Sequence, residues 1–203
     1  MSWDWLNILG TIAFATSGAI VAMDEEYDLL GVVFLGLATA FGGGVLRNVL
    51  LGQPVTALWA QEGLLMVAVL VTLAVFALPR EWLRRWLSLE VFVDALGLAA
   101  FSIQAALIAT QLGFPLIAVL LSALLTGCGG GIIRDVLAHR KPLIFQPGIV
   151  YGAWAMSAGL AVYMGWPREG WPVAALVALV VALRLMSHFG QWSLPFRRKG
   201  EGA

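Results

Sequence analysis

The sequence contains little charge and almost no cysteine. Asp, Glu, Lys and Arg together make up 12% of its 203 residues, about half the share found in soluble domains. Twelve basic residues balance twelve acidic ones, and no basic run exceeds three residues, which excludes a nucleic-acid-binding surface. Since Cys128 is the one cysteine, neither a disulfide framework nor a cysteine-based zinc site can form.

Apolar residues, in contrast, are abundant. They make up 61% of the chain, and the mean hydropathy is +0.89. A soluble fold of this length could not bury so much apolar surface, so the composition predicts an all-α integral membrane protein. A bilayer core about 30 Å thick needs about 20 apolar residues in a helix. Seven such segments are predicted as transmembrane helices, at about 5–22, 29–51, 60–78, 91–111, 115–138, 148–165 and 172–190.

The basic residues of the loops predict the orientation. With the N-terminus outside, the cytoplasmic side holds most of the loop charges, as the positive-inside rule requires: Arg80, Arg84, Arg85, Arg140, Lys141, Arg197, Arg198 and Lys199. We therefore predict an external N-terminus and a cytoplasmic basic tail at 191–203. Arg197, Arg198 and Lys199 of this tail either anchor the topology or contact anionic lipid.

One twelve-residue stretch occurs twice. Residues 39–50 (TAFGGGVLRNVL) and 126–137 (TGCGGGIIRDVL) lie 87 residues apart and are identical at seven positions. If each repeat crosses the membrane three times, the second is inverted relative to the first. We predict one transmembrane domain over 1–190, with repeats at about 5–86 and 89–170 and a seventh helix at about 172–190. Inverted repeats are common in transport proteins, whose sites lie near the midplane in helices interrupted by glycine or proline.

Three consecutive glycines lie near the middle of the second and the fifth segments. They are Gly42, Gly43, Gly44, Gly129, Gly130 and Gly131. Each costs about 1 kcal/mol relative to alanine in a helix, so we expect a kink or a break that turns backbone carbonyls toward an ion path. The alternative is that these glycines only allow the helices to pack closely.

Polar side chains continue the same helix faces. Thr39 and Arg47 lie four residues on either side of the first motif's central glycine, and Thr126 and Arg134 repeat this spacing. An arginine within a span is functional by default, although each of these could instead extend to the interface. Arg184, near the end of the seventh segment, is expected to do so.

The predicted spans contain few carboxylates and no histidine pair at the spacing of metal ligands. Asp94 and Asp135 are the carboxylate candidates within the membrane, and Asp94 could alternatively serve only the dipole of its helix. His139 and His188 have no partner at ligand spacing. We therefore predict no metal site, no cofactor and no enzymatic activity.

With these motifs the sequence resembles the prokaryotic TRIC-type channels, the trimeric intracellular cation channels, a bacterial family that has also carried a glycine-transporter label. The resemblance rests on the twofold Gly-Gly-Gly-x-x-Arg motif, the layout of three, three and one spans, and the stretches 14–18, 28–31 and 94–101. Asn48 departs from the Arg-Asp pair that the family commonly has in its first repeat. Asp135 is therefore the one acidic residue that directly follows the arginine of a motif.

The resemblance implies a homotrimer in the prokaryotic plasma membrane. Each protomer would have its own pore for monovalent cations, chiefly potassium, lined by the second and fifth helices. The implied pore elements are the six glycines of the two motifs together with Arg47 and Arg134.

Two functions fit these observations. In a passive cation channel, carbonyls and hydroxyls replace the hydration shell of the ion, while the guanidiniums are paired, Arg134 with Asp135 or with a helix C-terminus. A secondary transporter of glycine or another small solute fits the inverted repeat equally well. A structural role without flux would leave the recurring arginines unexplained.

Overall fold

The computed structural model describes residues 4–79, 87–146, 150–166 and 168–192. This part of the chain forms seven α-helices and contains no β-strand, which confirms the predicted all-helical fold. The helices are α1 (Asp4–Asp24), α2 (Leu29–Leu50), α3 (Glu62–Phe76), α4 (Leu87–Gln111), α5 (Leu116–Leu137), α6 (Gly152–Tyr163) and α7 (Trp171–Phe189). Short 3-10 helices, Val55–Gln61 and Leu143–Phe145, precede α3 and α6.

In the described part of the chain, six helical segments are long and apolar enough to cross a membrane. They are α1, α2, α4, α5, α7 and the segment Val55–Ala77, which includes α3. The sixth predicted segment forms a shorter helix than expected. Since α6 has 12 residues, it is about 18 Å long at a rise of 1.5 Å per residue. Of the described residues just before it, 150 and 151 are not helical.

The internal repeat is reproduced in the helix boundaries. The C-terminal ends of α1, α2 and α3 recur 87 residues later as the C-terminal ends of α4, α5 and α6. The N-terminal ends of α2 and α5 are related by the same offset. In each half the first helix packs against the second and the third, while α1–α4 and α2–α5 contacts join the halves. The unrepeated α7 packs against α4 and α6.

The two repeats are inverted relative to each other. The end of the bundle at which α1 begins is termed the upper end, and the opposite one the lower end. Because three helices precede it, α4 begins at the lower end. Contacts at each end agree with this: Asn7 of α1 bonds to Gln61 at the upper end, and Tyr27 bonds to the last residue of α5 at the lower end.

Cysteine labelling tests the orientation predicted from the loop charges. Lys141 and Glu169 are exposed residues of a lower and an upper loop, respectively. In a Cys128→Ala background, a cysteine at Lys141 should react with a membrane-impermeant maleimide only from the cytoplasm, and one at Glu169 only from outside. If the cysteine at Lys141 reacts only from outside and the one at Glu169 only from the cytoplasm, the orientation is the reverse of the predicted one. Reaction of both cysteines from one side would contradict the inverted repeat. The charges at Arg80, Arg84, Arg85, Arg197, Arg198 and Lys199 lie outside the described residues.

Candidate functional site

The two glycine motifs form the crossing of α2 and α5. A methyl group at Gly43 would overlap the carbonyl oxygen of Thr126, and one at Gly130 would overlap the carbonyl oxygen of Thr39. Such an approach of two backbones requires residues without side chains. Both helices continue unbroken through the motifs, so the break considered from the sequence does not occur.

The first and the last glycine of each motif have different neighbours. Gly42 faces the end of the Ile133 side chain, and Gly129 faces Leu46, the residue equivalent to Ile133 in the other repeat. These are side chains of one helix lying in the grooves of the other. In this conformation close packing, the alternative interpretation, accounts for four of the six glycines. Gly44 and Gly131 remain, and each lies beside an arginine.

The two threonines use their hydroxyl hydrogens within their own helices. Thr39 Oγ1 donates to the carbonyl of Leu35 at 2.6 Å, and Thr126 Oγ1 donates to that of Ser122 at 2.7 Å. Both side chains are buried. Their hydroxyl oxygens can still accept a hydrogen bond or face a cation, because each retains lone pairs.

Arg134 is the centre of a buried ionic cluster at the lower end. Its Nη1 lies 3.0 Å from Asp94 Oδ1 and also donates to the Ser17 hydroxyl. Its Nε and Nη2 lie 2.8 Å from Asp135 Oδ1, so the pairing with Asp135 considered from the sequence is present. Arg134 is 1% exposed and does not extend to the membrane surface. The lower cluster consists of Ser17, Asp94, Arg134, Asp135 and Tyr151.

The carboxylates of the lower cluster have further partners. Asp94 Oδ1 accepts a hydrogen bond from the Tyr151 hydroxyl at 3.2 Å, whereas Asp94 Oδ2 is buried without a partner in the described structure. Asp135 Oδ2 accepts from the backbone N–H of Leu143 at 3.2 Å, which ties the short 3-10 helix to α5. Asp94 is thus an ion-pair partner from another helix rather than only a helix-dipole residue.

Arg184 of α7 is a member of this region that sequence reasoning missed. The expectation that it extends to the interface is wrong, because it is 1% exposed. Its guanidinium lies 5.0 Å from the centre of the Tyr151 ring, a cation–π distance. The aromatic partner comes from a distant segment, so nothing in the local sequence around Arg184 indicates the contact.

The equivalent place in the first repeat is a cavity. This upper cavity has a volume of about 30 Å³, enough for a few water molecules. Its polar lining includes Asn7, Arg47, Asn48, Gln61 and Gln104, and it extends to Phe101 and Thr126, near the middle of α4 and α5. Arg47 Nε and Nη2 donate to Asn48 Oδ1 at 3.1 and 2.9 Å.

The repeat relates the two sites residue by residue. Arg47 corresponds to Arg134, and the neighbours correspond as Asn48 to Asp135, Asn7 to Asp94 and Gln104 to Ser17, each pair 87 residues apart. Carboxylates surround the arginine of the lower cluster, whereas amides take their places in the upper cavity. No Asp or Glu is among the described residues that line this cavity. The upper site is therefore a polar cavity with a positive charge, and the lower site is filled and ion-paired.

Comparisons with known proteins agree with this architecture. A family model described as Glycine transporter matches residues 4–80 and again 91–168, once for each repeat. The membrane protein YvgT of Bacillus subtilis is 50% identical over 197 residues, which cover 97% of each chain.

Two solved structures have the same fold. One, described as the structural basis for conductance through TRIC cation channels, is 32% identical with a TM-score of 0.83, and the match covers all of both chains. The TRIC trimeric intracellular cation channel orthologue from Rhodobacter sphaeroides is 29% identical with a TM-score of 0.76, over 93% of this chain and 98% of that one. The chain therefore belongs to the TRIC-type family of membrane proteins, to which the Glycine transporter model corresponds.

Proposed function

We propose that the protein is a passive channel for monovalent cations, chiefly potassium, with a path in each protomer along α2 and α5. The observation that carries the proposal is the unequal filling of two equivalent places. The upper cavity is polar and reaches the middle of the bundle, while buried ion pairs fill the lower end. The description of related structures as TRIC cation channels supports the same function.

In this proposal the lower cluster is the barrier of a closed channel. A free guanidinium on the path would repel cations, and the two arginines differ in this respect. Arg134 is held between Asp94 and Asp135, whereas Arg47 bonds to the neutral Asn48 and has no acidic partner among the described residues. The expected pairing of both guanidiniums is therefore present at the lower end alone. Movement of Arg134 away from these partners would leave two carboxylates facing the path. Acidic side chains of this kind favour the entry of cations.

The crossing of α2 and α5 would be the second element that opens. The carbonyl oxygens of Thr39 and Thr126 lie at this crossing, each against a glycine of the other helix. Separation of the helices would turn these two oxygens toward the gap without any side chain between them. Carbonyl oxygens can replace the hydration shell of a potassium ion.

Assembly and location are part of the same proposal. We infer a homotrimer in the prokaryotic plasma membrane, with the N-terminus outside and the C-terminus in the cytoplasm. The related Rhodobacter sphaeroides structure is described as trimeric. The chain would act without an enzymatic step and without a cofactor.

A secondary transporter of a small solute such as glycine is the second candidate function. A protein with an open polar cavity at one end and a closed, filled region at the other also resembles one state of an alternating-access carrier. Currents in planar bilayers separate the two functions. Purified protein should give unitary currents that reverse near the potassium equilibrium potential, whereas saturable, gradient-coupled uptake without unitary currents would favour the carrier.

A leucine at Gly44 should reduce the potassium current at least tenfold while the protein still folds. Gly44 lines the upper cavity, and a Cβ atom there meets only the end of Arg47, at 3.9 Å, so the rest of a leucine side chain would extend into the cavity. Gly63→Leu is the matched control, because Gly63 also has open space and does not line the cavity. Bilayer currents and gel filtration measure both effects. An unchanged current in folded Gly44→Leu would place the path elsewhere.

A further inference from the structure

The arginine of the upper cavity lacks the acidic partners of its counterpart. Arg134 has two carboxylates within 3.0 Å, whereas Arg47 makes no ion pair with any described residue. Its position in the last turn of α2 provides about half a negative charge from the helix dipole. A substantial positive charge is therefore left in a half-buried cavity, where uncompensated charge is costly.

Hydrogen-bond donors are also left over in the cavity. Arg47 uses Nε and Nη2 on Asn48, and Asn48 in turn donates to the carbonyl of Pro54. In the described part of the chain, Arg47 Nη1 and the side-chain amide of Gln104 bond to no protein atom, although Gln104 is only 7% exposed. Both residues line the cavity. Their donors are available to an acceptor from solution.

We propose that the upper cavity is a binding site for a small carboxylate anion of one or two carbons. Its oxygens would accept from the free edge of the Arg47 guanidinium and from the Gln104 amide, since planar carboxylates fit guanidinium donors well. The bound anion would take the place that Asp94 and Asp135 occupy around Arg134. The small cavity volume favours a ligand of this size. A bound anion would also compensate the charge of Arg47 in the cavity that the channel proposal uses as part of the cation path. The binding itself does not depend on the channel function.

Thermal unfolding of the purified full-length protein tests the site, with acetate as the probe. Replacing chloride by acetate at constant ionic strength should raise the unfolding midpoint by about 3 °C at ten times the dissociation constant. Arg47→Gln should abolish this rise. Equal midpoints for the wild type in the two salts, or an equal rise in the Arg47→Gln variant, would overturn the proposal.

Two variants that add a carboxylate distinguish a filled site from a general effect of charge. Asn48→Asp places a carboxylate beside Arg47, as Asp135 lies beside Arg134, so it should raise the midpoint in chloride and remove the response to acetate. Gln53→Glu adds the same charge at a residue that does not line the cavity, so it should keep the response. A full acetate response in Asn48→Asp, or none in a folded Gln53→Glu, would contradict the assignment.

Glycine as a second probe identifies which part of a ligand is recognised. If glycine and acetate give similar rises, the carboxylate is the recognised group, as proposed. If glycine raises the midpoint and acetate does not, the ammonium group is required and a simple carboxylate site is excluded.

Discussion

Arg134→Ala should lower the free energy of unfolding by about 3–5 kcal/mol, the cost of leaving buried charges without their partner. The substitution removes the cation that lies between Asp94 and Asp135, and both carboxylates are almost fully buried. They would then repel each other in a poorly solvated site. Reversible denaturation of the purified protein in mild detergent measures the loss.

Two control variants separate this ionic effect from lost packing. Arg47→Ala removes the equivalent arginine but leaves no carboxylate behind, so it should cost about 1 kcal/mol or less. A triple variant with Arg134→Met, Asp94→Asn and Asp135→Asn has no stranded charge, and it should recover most of the stability. Similar losses in Arg134→Ala and Arg47→Ala would show that the ion pairs contribute little.

The local and repeated features of the fold could be predicted from the sequence. Apolar run lengths located the helices, although α6 is shorter than its apolar run, because residues 150 and 151 are apolar without being helical. The adjacent residues Arg134 and Asp135 pair as considered, since neighbours in sequence need no tertiary information to meet. The duplication was visible because the motif at 39–50 recurs at one offset.

Contacts between distant segments could not be predicted. Asp94 and Arg134 are 40 residues apart, and neither sequence context identifies the other as its partner. The offset of 87 residues gives part of this information. It relates Asp94 to Asn7 and so identifies positions that have an acid in one repeat and an amide in the other. It does not show that these positions surround the arginines, which requires the packing of α1 against α4 and α5.

The role of the glycines was ambiguous for a physical reason. A broken helix and a close helix crossing both require residues without side chains, so the same sequence is expected from either. The deciding atoms are the carbonyl oxygens of Thr126 and Thr39 on the facing helices. No pattern within one helix indicates how closely another backbone approaches it.

Alanine at Gly43 should prevent correct assembly or cost about 1–3 kcal/mol, the usual range for overpacking. The added methyl group would overlap the backbone carbonyl of Thr126, which cannot rotate away as a flexible side chain can. Gly44→Ala is the matched control one residue along, because its methyl group meets only the Arg47 guanidinium at 3.9 Å. It should gain up to about 1 kcal/mol of helix propensity.

Gly130→Ala should behave like Gly43→Ala, since its methyl group would overlap the carbonyl of Thr39 at the same crossing. The double variant should cost less than the sum of the two single variants, because helices forced apart by the first methyl group leave space for the second. Thermal unfolding and gel filtration of the four variants measure these differences. Equal stability of Gly43→Ala and Gly44→Ala would contradict a tight crossing. Additive losses would show that the two glycines act at separate contacts.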